Sequence, residues 1–294
     1  MGILFNDLVN NAFPALKIEK IKKIGEGDTY VAFLINDHYL FKQAKADEGR
    51  AQLRKEVLLM ENLSGKFSIS TPRFILVSPD YHFGCYEILP GISFDEYLEE
   101  NELTKTNAKQ VVTFLTTLHA MDPGTMQDGI LPVMNYFEEY EQDYEFLKKL
   151  TLTFFSKKQK EIILEKYESY LSFQKNFEYK PEVIHNDFSF NHIICDPFSG
   201  DITGVIDFGD AAMGDAAYDF FFLYELPQSI FIEQICNSYP ECDPHFIDRI
   251  QFYSFANVMQ LLIGCFKEKN DQLIKKEIKK VQNWFKTHLQ SVDF

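Results

Sequence analysis

The residues of this chain whose types could do chemistry stand in two short segments. His185-Asn186-Asp187-Phe188-Ser189-Phe190-Asn191-His192 brings two imidazoles and a carboxylate together, and Asp207-Phe208-Gly209-Asp210 follows downstream. A carboxylate is a hard oxygen donor suited to magnesium, so Asp207 is the natural principal ligand of such an ion. Imidazole is a less usual magnesium ligand, which makes His192 the weaker partner in that role. Taken singly, each residue also has a structural use: Asp187 could cap a turn, and Asp207 could sit in an Asp-Phe-Gly turn. A metal-dependent hydrolase built on His185, Asp187, His192 and Asp207 is a further reading, but it would want more histidines around a transition metal.

Strands and one helix must position these loops. Ile18–Ile24 leads into Gly25-Glu26-Gly27-Asp28, a turn signal. Tyr30–Ile35 and Tyr39–Lys42 flank Asn36-Asp37-His38 and read as a hairpin. Asp47–Asn62 reads as a helix, with Leu53, Val57 and Met60 on one face. Strands at Arg73–Val77 and Phe83–Ile88 follow, and Pro90-Gly91 breaks the pattern. Beyond it the chain turns helical: Gln110–Met121 has an apolar stripe, and Met134–Leu150 and Lys157–Phe173 are further helices. Short strands and loops cover Val183–Asp207, and helix resumes from Tyr218 to the Lys-rich segment Lys267–Lys286. The expected organisation is a strand-rich region over residues 1–90 and a mainly helical region over 91–294.

In this order the two loops resemble the catalytic and metal loops of protein kinase-like phosphotransferases. The kinase pattern puts the residue that orients the acceptor hydroxyl and takes its proton at Asp187. It puts the magnesium ligands at His192, where an Asn is usual, and at Asp207. His185 is expected to organise the loop by hydrogen bonding. Phosphoryl transfer needs the phosphates positioned, their charge neutralised and the hydroxyl placed in line, rather than covalent help. Lys42, at the end of a strand, stands where kinases hold the α- and β-phosphates. Glu56 borders the buried stripe of the next helix and is its expected partner, with Glu61 and Glu48 as alternatives. Gly25 and Gly27 could cover the phosphates with backbone N–H groups.

At finer grain the sequence resembles the aminoglycoside 2″-phosphotransferases. The resemblance rests on Ile184-His185-Asn186-Asp187-Phe188-Ser189 with Asn191-His192, and on Gly204-Val205-Ile206-Asp207-Phe208-Gly209-Asp210-Ala211-Ala212. Gly25-Glu26-Gly27-Asp28, Phe41-Lys42-Gln43, Leu118-His119, Asp215 and Tyr218-Asp219-Phe220 add to it, so it spans about residues 20–226. It implies an α+β, protein kinase-like fold of two lobes: a small five-stranded antiparallel sheet with one helix, a hinge near Glu87–Gly91, and a large helical lobe. It implies transfer of the γ-phosphoryl of ATP or GTP, with Mg2+, to an aminoglycoside hydroxyl. The purine would bond hinge backbone near Glu87 and Leu89, and Tyr86 could either narrow the purine pocket in favour of GTP or pack in the core. Asp210 and Glu225 would face the polycationic substrate. Glu225 is followed by Leu226-Pro227-Gln228-Ser229-Ile230, fewer acids than the relatives tend to have there, which implies altered binding of the amino sugars.

Composition agrees with a cationic small-molecule partner. Acidic residues number 44 against 29 basic, a formal charge of −15. Such a surface repels phosphate backbones, so nucleic acid is not an expected partner, and it attracts cations. No apolar run is long enough to span a membrane. Five cysteines without CxxC spacing read as reduced thiols of a cytoplasmic protein, and a monomer is expected. Two alternatives remain: a kinase of the same fold acting on a macrolide, choline or a sugar amine, and a nucleotide-binding pseudokinase module. A pure binding module has no need of Lys42, Asp187 and Asp207 together.

Overall fold

The structure is a computed structural model. It describes residues 18–27, 29–122, 124, 129–150, 154–225, 239 and 242–288, except the side chains of 225 and 288. The chain divides into two compact units, one of Met1–Pro132 with His185–Ala212 and one of Val133–Ile184 with Met213–Phe294. The break expected at residue 90 separates strand-rich from helix-rich chain. The compact units group residues differently and join both loops to the sheet.

The first unit is built on a five-stranded antiparallel sheet in the order β1-β2-β3-β5-β4. Its strands are β1 (Ile21–Glu26), β2 (Tyr30–Ile35), β3 (Tyr39–Ala44), β4 (Phe74–Val77) and β5 (Phe83–Glu87). The β2–β3 hairpin turns through Asn36 and Asp37, both at positive φ, which short polar side chains tolerate. Directly paired residues share a face. Tyr30 pairs with Ala44, Ala32 with Lys42 and Lys42 with Gly84, so Tyr30, Ala32, Lys42 and Gly84 line one face. The other face carries a core of Ile35, Phe41 and Cys85 with Phe33 and Phe83 packed against it.

Helix α1 (Asp47–Leu63) follows β3 and buries Leu53, Glu56, Val57 and Met60. Asp47 and Glu48 in its first turn complement the positive end of its dipole. A Cβ at Gly84 would lie 3.1 Å from the Leu53 side chain and 2.9 Å from the Phe74 ring, so glycine lets β5 approach the helix.

Three elements differ from the sequence expectation. Strand β6 (Ile92–Ser93) and helix α2 (Phe94–Leu98) follow the break at Pro90-Gly91. Helix α3 runs Lys105–His119 rather than Gln110–Met121. A capping box between Thr104 and Asn107 starts it earlier, through a polar first turn that has no apolar stripe to reveal it.

The segments 185–192 and 207–210 flank a small sheet. Strand β8 (Ile193–Cys195) lies between β6 and β9 (Ile202–Val205). Ser70 clips the chain after α1 to β9, donating from its N–H to Thr203 O at 2.8 Å and accepting from Val205 N–H at 3.0 Å.

The second unit holds α4 (Tyr136–Lys149), α5 (Lys157–Ser172), α6 (Phe246–Lys267) and α7 (Asp271–His288). It also holds the short strand β7 (Glu182–Ile184), which pairs with β10 (Ala212–Gly214), and a 3-10 helix over Ala216–Glu225. Its core is aromatic: Tyr140, Tyr167, Tyr170, Phe252 and Tyr253 are buried, and Tyr170 stacks on Phe252 at 3.5 Å. Arg249 of α6 is buried there, with Nη2 bonding Asp215 at 3.2 Å and Asp243 at 2.8 Å. Tyr253 donates its hydroxyl to Asp215 at 2.7 Å.

Candidate active site

Every described side chain of the candidate centre lies within the first unit. Strand β3 projects Lys42 onto the face covered by α1, where it is 5% exposed. Its Nζ donates to both oxygens of the fully buried Glu56, at 2.8 and 2.9 Å, and to Asp207 Oδ1 at 2.9 Å. It is therefore Glu56, rather than Glu48 or Glu61, that pairs with Lys42. Burial disfavours the ammonium, but Glu56 and Asp207 outweigh it and hold Lys42 well above its ordinary value. Burial pushes the Glu56 carboxyl upward against the pull of Lys42.

Asp207 is in the left-handed region, at φ 67°, and so is Asn186 at φ 65°. Both residues tolerate that conformation better than most, and strain of this kind concentrates at functional sites. Burial works to raise the Asp207 carboxyl. Lys42, with His192 and His185 nearby, overcomes that and leaves it below the usual range. The fully buried His185 bonds Ile206 O through Nε2 at 3.0 Å, and its ring lies tilted against Phe208 at 4.6 Å. It thus ties the segment 185–192 to the segment 206–210.

His192 donates from Nδ1 to the backbone oxygen of Asp187 at 2.7 Å. A carbonyl only accepts, so Nδ1 carries the proton of that bond. The other ring nitrogen, Nε2, faces Asp207 Oδ2 at 3.8 Å. An imidazole nitrogen and a carboxylate oxygen facing each other in this way form a pair of ligands that a magnesium ion could share. Among the described residues no three His, Cys, Asp or Glu side chains form a metal-binding group. A two-ligand site suits magnesium, which keeps waters and substrate phosphates for its other positions. The half-exposed Asp187 carboxylate lies beside the same ring, 3.6 Å from Nδ1.

A Cβ at Gly25 or Gly27 would meet nothing within 4 Å, so no packing in the protein requires glycine there. Gly27 donates its N–H to Tyr30 O at 3.1 Å, closing the turn. Asp28 lies outside the described residues. Glu87 ends β5 opposite Tyr39, and the next residue, Ile88, donates to His38 O at 2.9 Å. The Leu89 side chain lies over Gly204, where a Cβ would come within 2.6 Å of it. Tyr86 is buried, edge-on to Phe74 at 5.2 Å.

Asp210 accepts from Gln52 of α1 at 2.7 Å through Oδ1, and its backbone oxygen accepts from Asn186 at 3.2 Å. The structure thus holds it between α1 and the segment at Asn186. Glu225 closes the 3-10 helix of the second unit, and its side chain lies outside the described residues. Sequence reasoning missed Gln52 and Tyr30. The signals were present: Gln52 is one helical turn before Glu56, and Tyr30 sits diagonally across the hairpin from Lys42.

The profile of the phosphotransferase enzyme family matches residues 20–243. The chain belongs to that family. Solved structures agree on the fold. The GDP and kanamycin complex of APH(2″)-IIIa superposes with a TM-score of 0.85 at 23% identity, covering 97% of this chain and 99% of that one. The gentamicin complex of APH(2″)-IIa gives 0.69 at 24% identity, covering 95% of each chain. Macrolide 2′-phosphotransferase type I gives 0.71 at 14% identity, covering 94% and 96%. The fold is therefore protein kinase-like, an antiparallel sheet region followed by a helical one. Among the described residues no helix is long and apolar enough to cross a membrane.

Proposed function

We propose that this phosphotransferase moves the γ-phosphoryl of ATP or GTP to a hydroxyl of an aminoglycoside, the 2″-hydroxyl by likeness to its structural relatives. The observation that carries the reading is the joining of the buried Lys42 and Glu56 to the partly exposed Asp207 in one network beside His192 and the half-exposed Asp187. Lys42, fixed by Glu56, binds donor phosphate, and Gly25 and Gly27 cover it with N–H groups. The backbone at Glu87 and Leu89 receives the purine. Asp207 and His192 hold magnesium, which when bound neutralises phosphate charge. Asp187 accepts the acceptor hydroxyl's proton at its carboxylate as the new P–O bond forms and the bond to the departing diphosphate breaks. Asp210 and Glu225 contribute negative charge toward a cationic substrate.

The acceptor class is supported by the charge of −15 and by relatives solved with kanamycin and gentamicin. Relatives solved with GDP and with ADP support a purine nucleotide donor. The likeness to a macrolide phosphotransferase supports a second reading with the same residues and another acceptor.

Nucleoside diphosphate release with magnesium and ATP or GTP tests both readings. Kanamycin, gentamicin, erythromycin, choline and no acceptor should be compared. Release that depends on an aminoglycoside, and falls by roughly 10²–10⁴ in Asp187→Ala, is expected. Release driven by erythromycin or choline instead reassigns the acceptor. A loss under about 10-fold in Asp187→Ala removes it as the base.

A further inference from the structure

Tyr30 opens β2 on the sheet face that carries Lys42, just after the turn at Gly25 and Gly27. Its ring centre lies 5.5 Å from the Lys42 ammonium. The hydroxyl oxygen is buried and has no hydrogen-bond partner among the described residues. Such an orphan is costly, because a buried polar group without a partner forfeits the bonds it made to water. Burial first, then the charges of Glu56, Asp207 and Asp210, raise this phenol well above its ordinary value, against the opposing pull of Lys42. The group is therefore a protonated donor at any physiological pH. The donor capacity of the Tyr30 hydroxyl is thus unused among the described residues, on the same sheet face as the buried Lys42 ammonium.

We propose that the Tyr30 hydroxyl donates a hydrogen bond to a phosphate oxygen of the bound nucleotide, making Tyr30 a substrate-contacting residue of this site. The inference rests on the phosphotransferase reading above. A phosphate oxygen suits the vacancy because it accepts only and bears the charge that Lys42 already attracts. The phenol ring flanks the ammonium in a cation–π contact, so it also keeps Lys42 aimed where that oxygen arrives.

Tyr30→Phe tests this, since it deletes the hydroxyl and keeps the ring. Affinities for magnesium–ATP and magnesium–GTP should be measured by calorimetry on wild type and variant, with nucleotide-free melting temperatures alongside. A charge-assisted hydrogen bond predicts roughly 10- to 100-fold weaker binding in the variant. The nucleotide-free melting temperature should hold or rise, because the lost group satisfied nothing among the described residues. Tyr30→Leu should bind more weakly still, through loss of the ring. Equal affinities in wild type and Tyr30→Phe overturn the proposal and leave the phosphotransferase reading standing. So does a marked fall in the nucleotide-free melting temperature of Tyr30→Phe, which would mean that the hydroxyl supports the fold. Wild-type protein that binds neither nucleotide overturns the parent reading itself.

Discussion

Two clusters of charge in this chain share a plan and differ in what they leave open. In each, one base is buried between two carboxylates, one buried and one partly exposed. Lys42 lies between Glu56 and Asp207, and Arg249 lies between Asp215 and Asp243. Around Arg249 the bonding closes. Its guanidinium bonds both acids through Nε, Nη1 and Nη2, and Tyr253 completes Asp215. Around Lys42 it does not. Among the described residues the Tyr30 hydroxyl has no acceptor, Asp207 Oδ2 stands 3.8 Å from His192 Nε2, and Asp207 holds a left-handed backbone. A closed network specifies structure, whereas a strained network with polar capacity to spare anticipates a ligand. Sequence marks the first cluster through its kinase-like spacing and gives no sign of the second.

The comparison can be broken most forcefully at Arg249. Arg249→Met leaves the Asp215 carboxylate buried beside a methyl group. Breaking a buried pair in this way costs about 3–5 kcal/mol, to be read from urea unfolding. Nucleotide affinity of the protein that remains folded should match wild type. A variant that keeps its stability and loses nucleotide would make the Arg249 cluster functional and erase the distinction.

A smaller effect sharpens the same contrast. Burial tends to raise the Asp243 carboxyl, but bonds from Arg249 and the His245 backbone N–H hold it below its ordinary value. A carboxyl lowered by folding adds stability above its unfolded value, near pH 4, and loses it as pH falls through the lower folded value. Melting temperature should therefore decline as pH drops below about 4, and Asp243→Asn should flatten part of that decline. An unchanged acid limb in the variant would mean that Asp243 adds no pH-dependent stability.

Much of this architecture was legible because local signals and long-range needs coincide. The Asn36-Asp37-His38 hairpin fixes the β2–β3 register, which places Lys42, and the stripe of α1 puts Glu56 on its inner border. The two loops were legible as motifs. Other features depend on partners distant in the chain. Nothing near Asp215 names Arg249, and nothing near Asp210 names Gln52. The start of α3 was hidden because a capping box, rather than an apolar stripe, begins it. Tyr30 looked like any aromatic strand residue until the fold put its ring beside Lys42 and buried its hydroxyl with no partner among the described residues.

The central claim is that the open cluster, and not the closed one, takes up metal and nucleotide. Calorimetry of wild type and Asp207→Asn with ATP and GTP, each with and without magnesium, tests it most directly. The account predicts that magnesium strengthens nucleotide binding in wild type and no longer does so in Asp207→Asn. A variant whose nucleotide affinity still rises with magnesium as in wild type would contradict it.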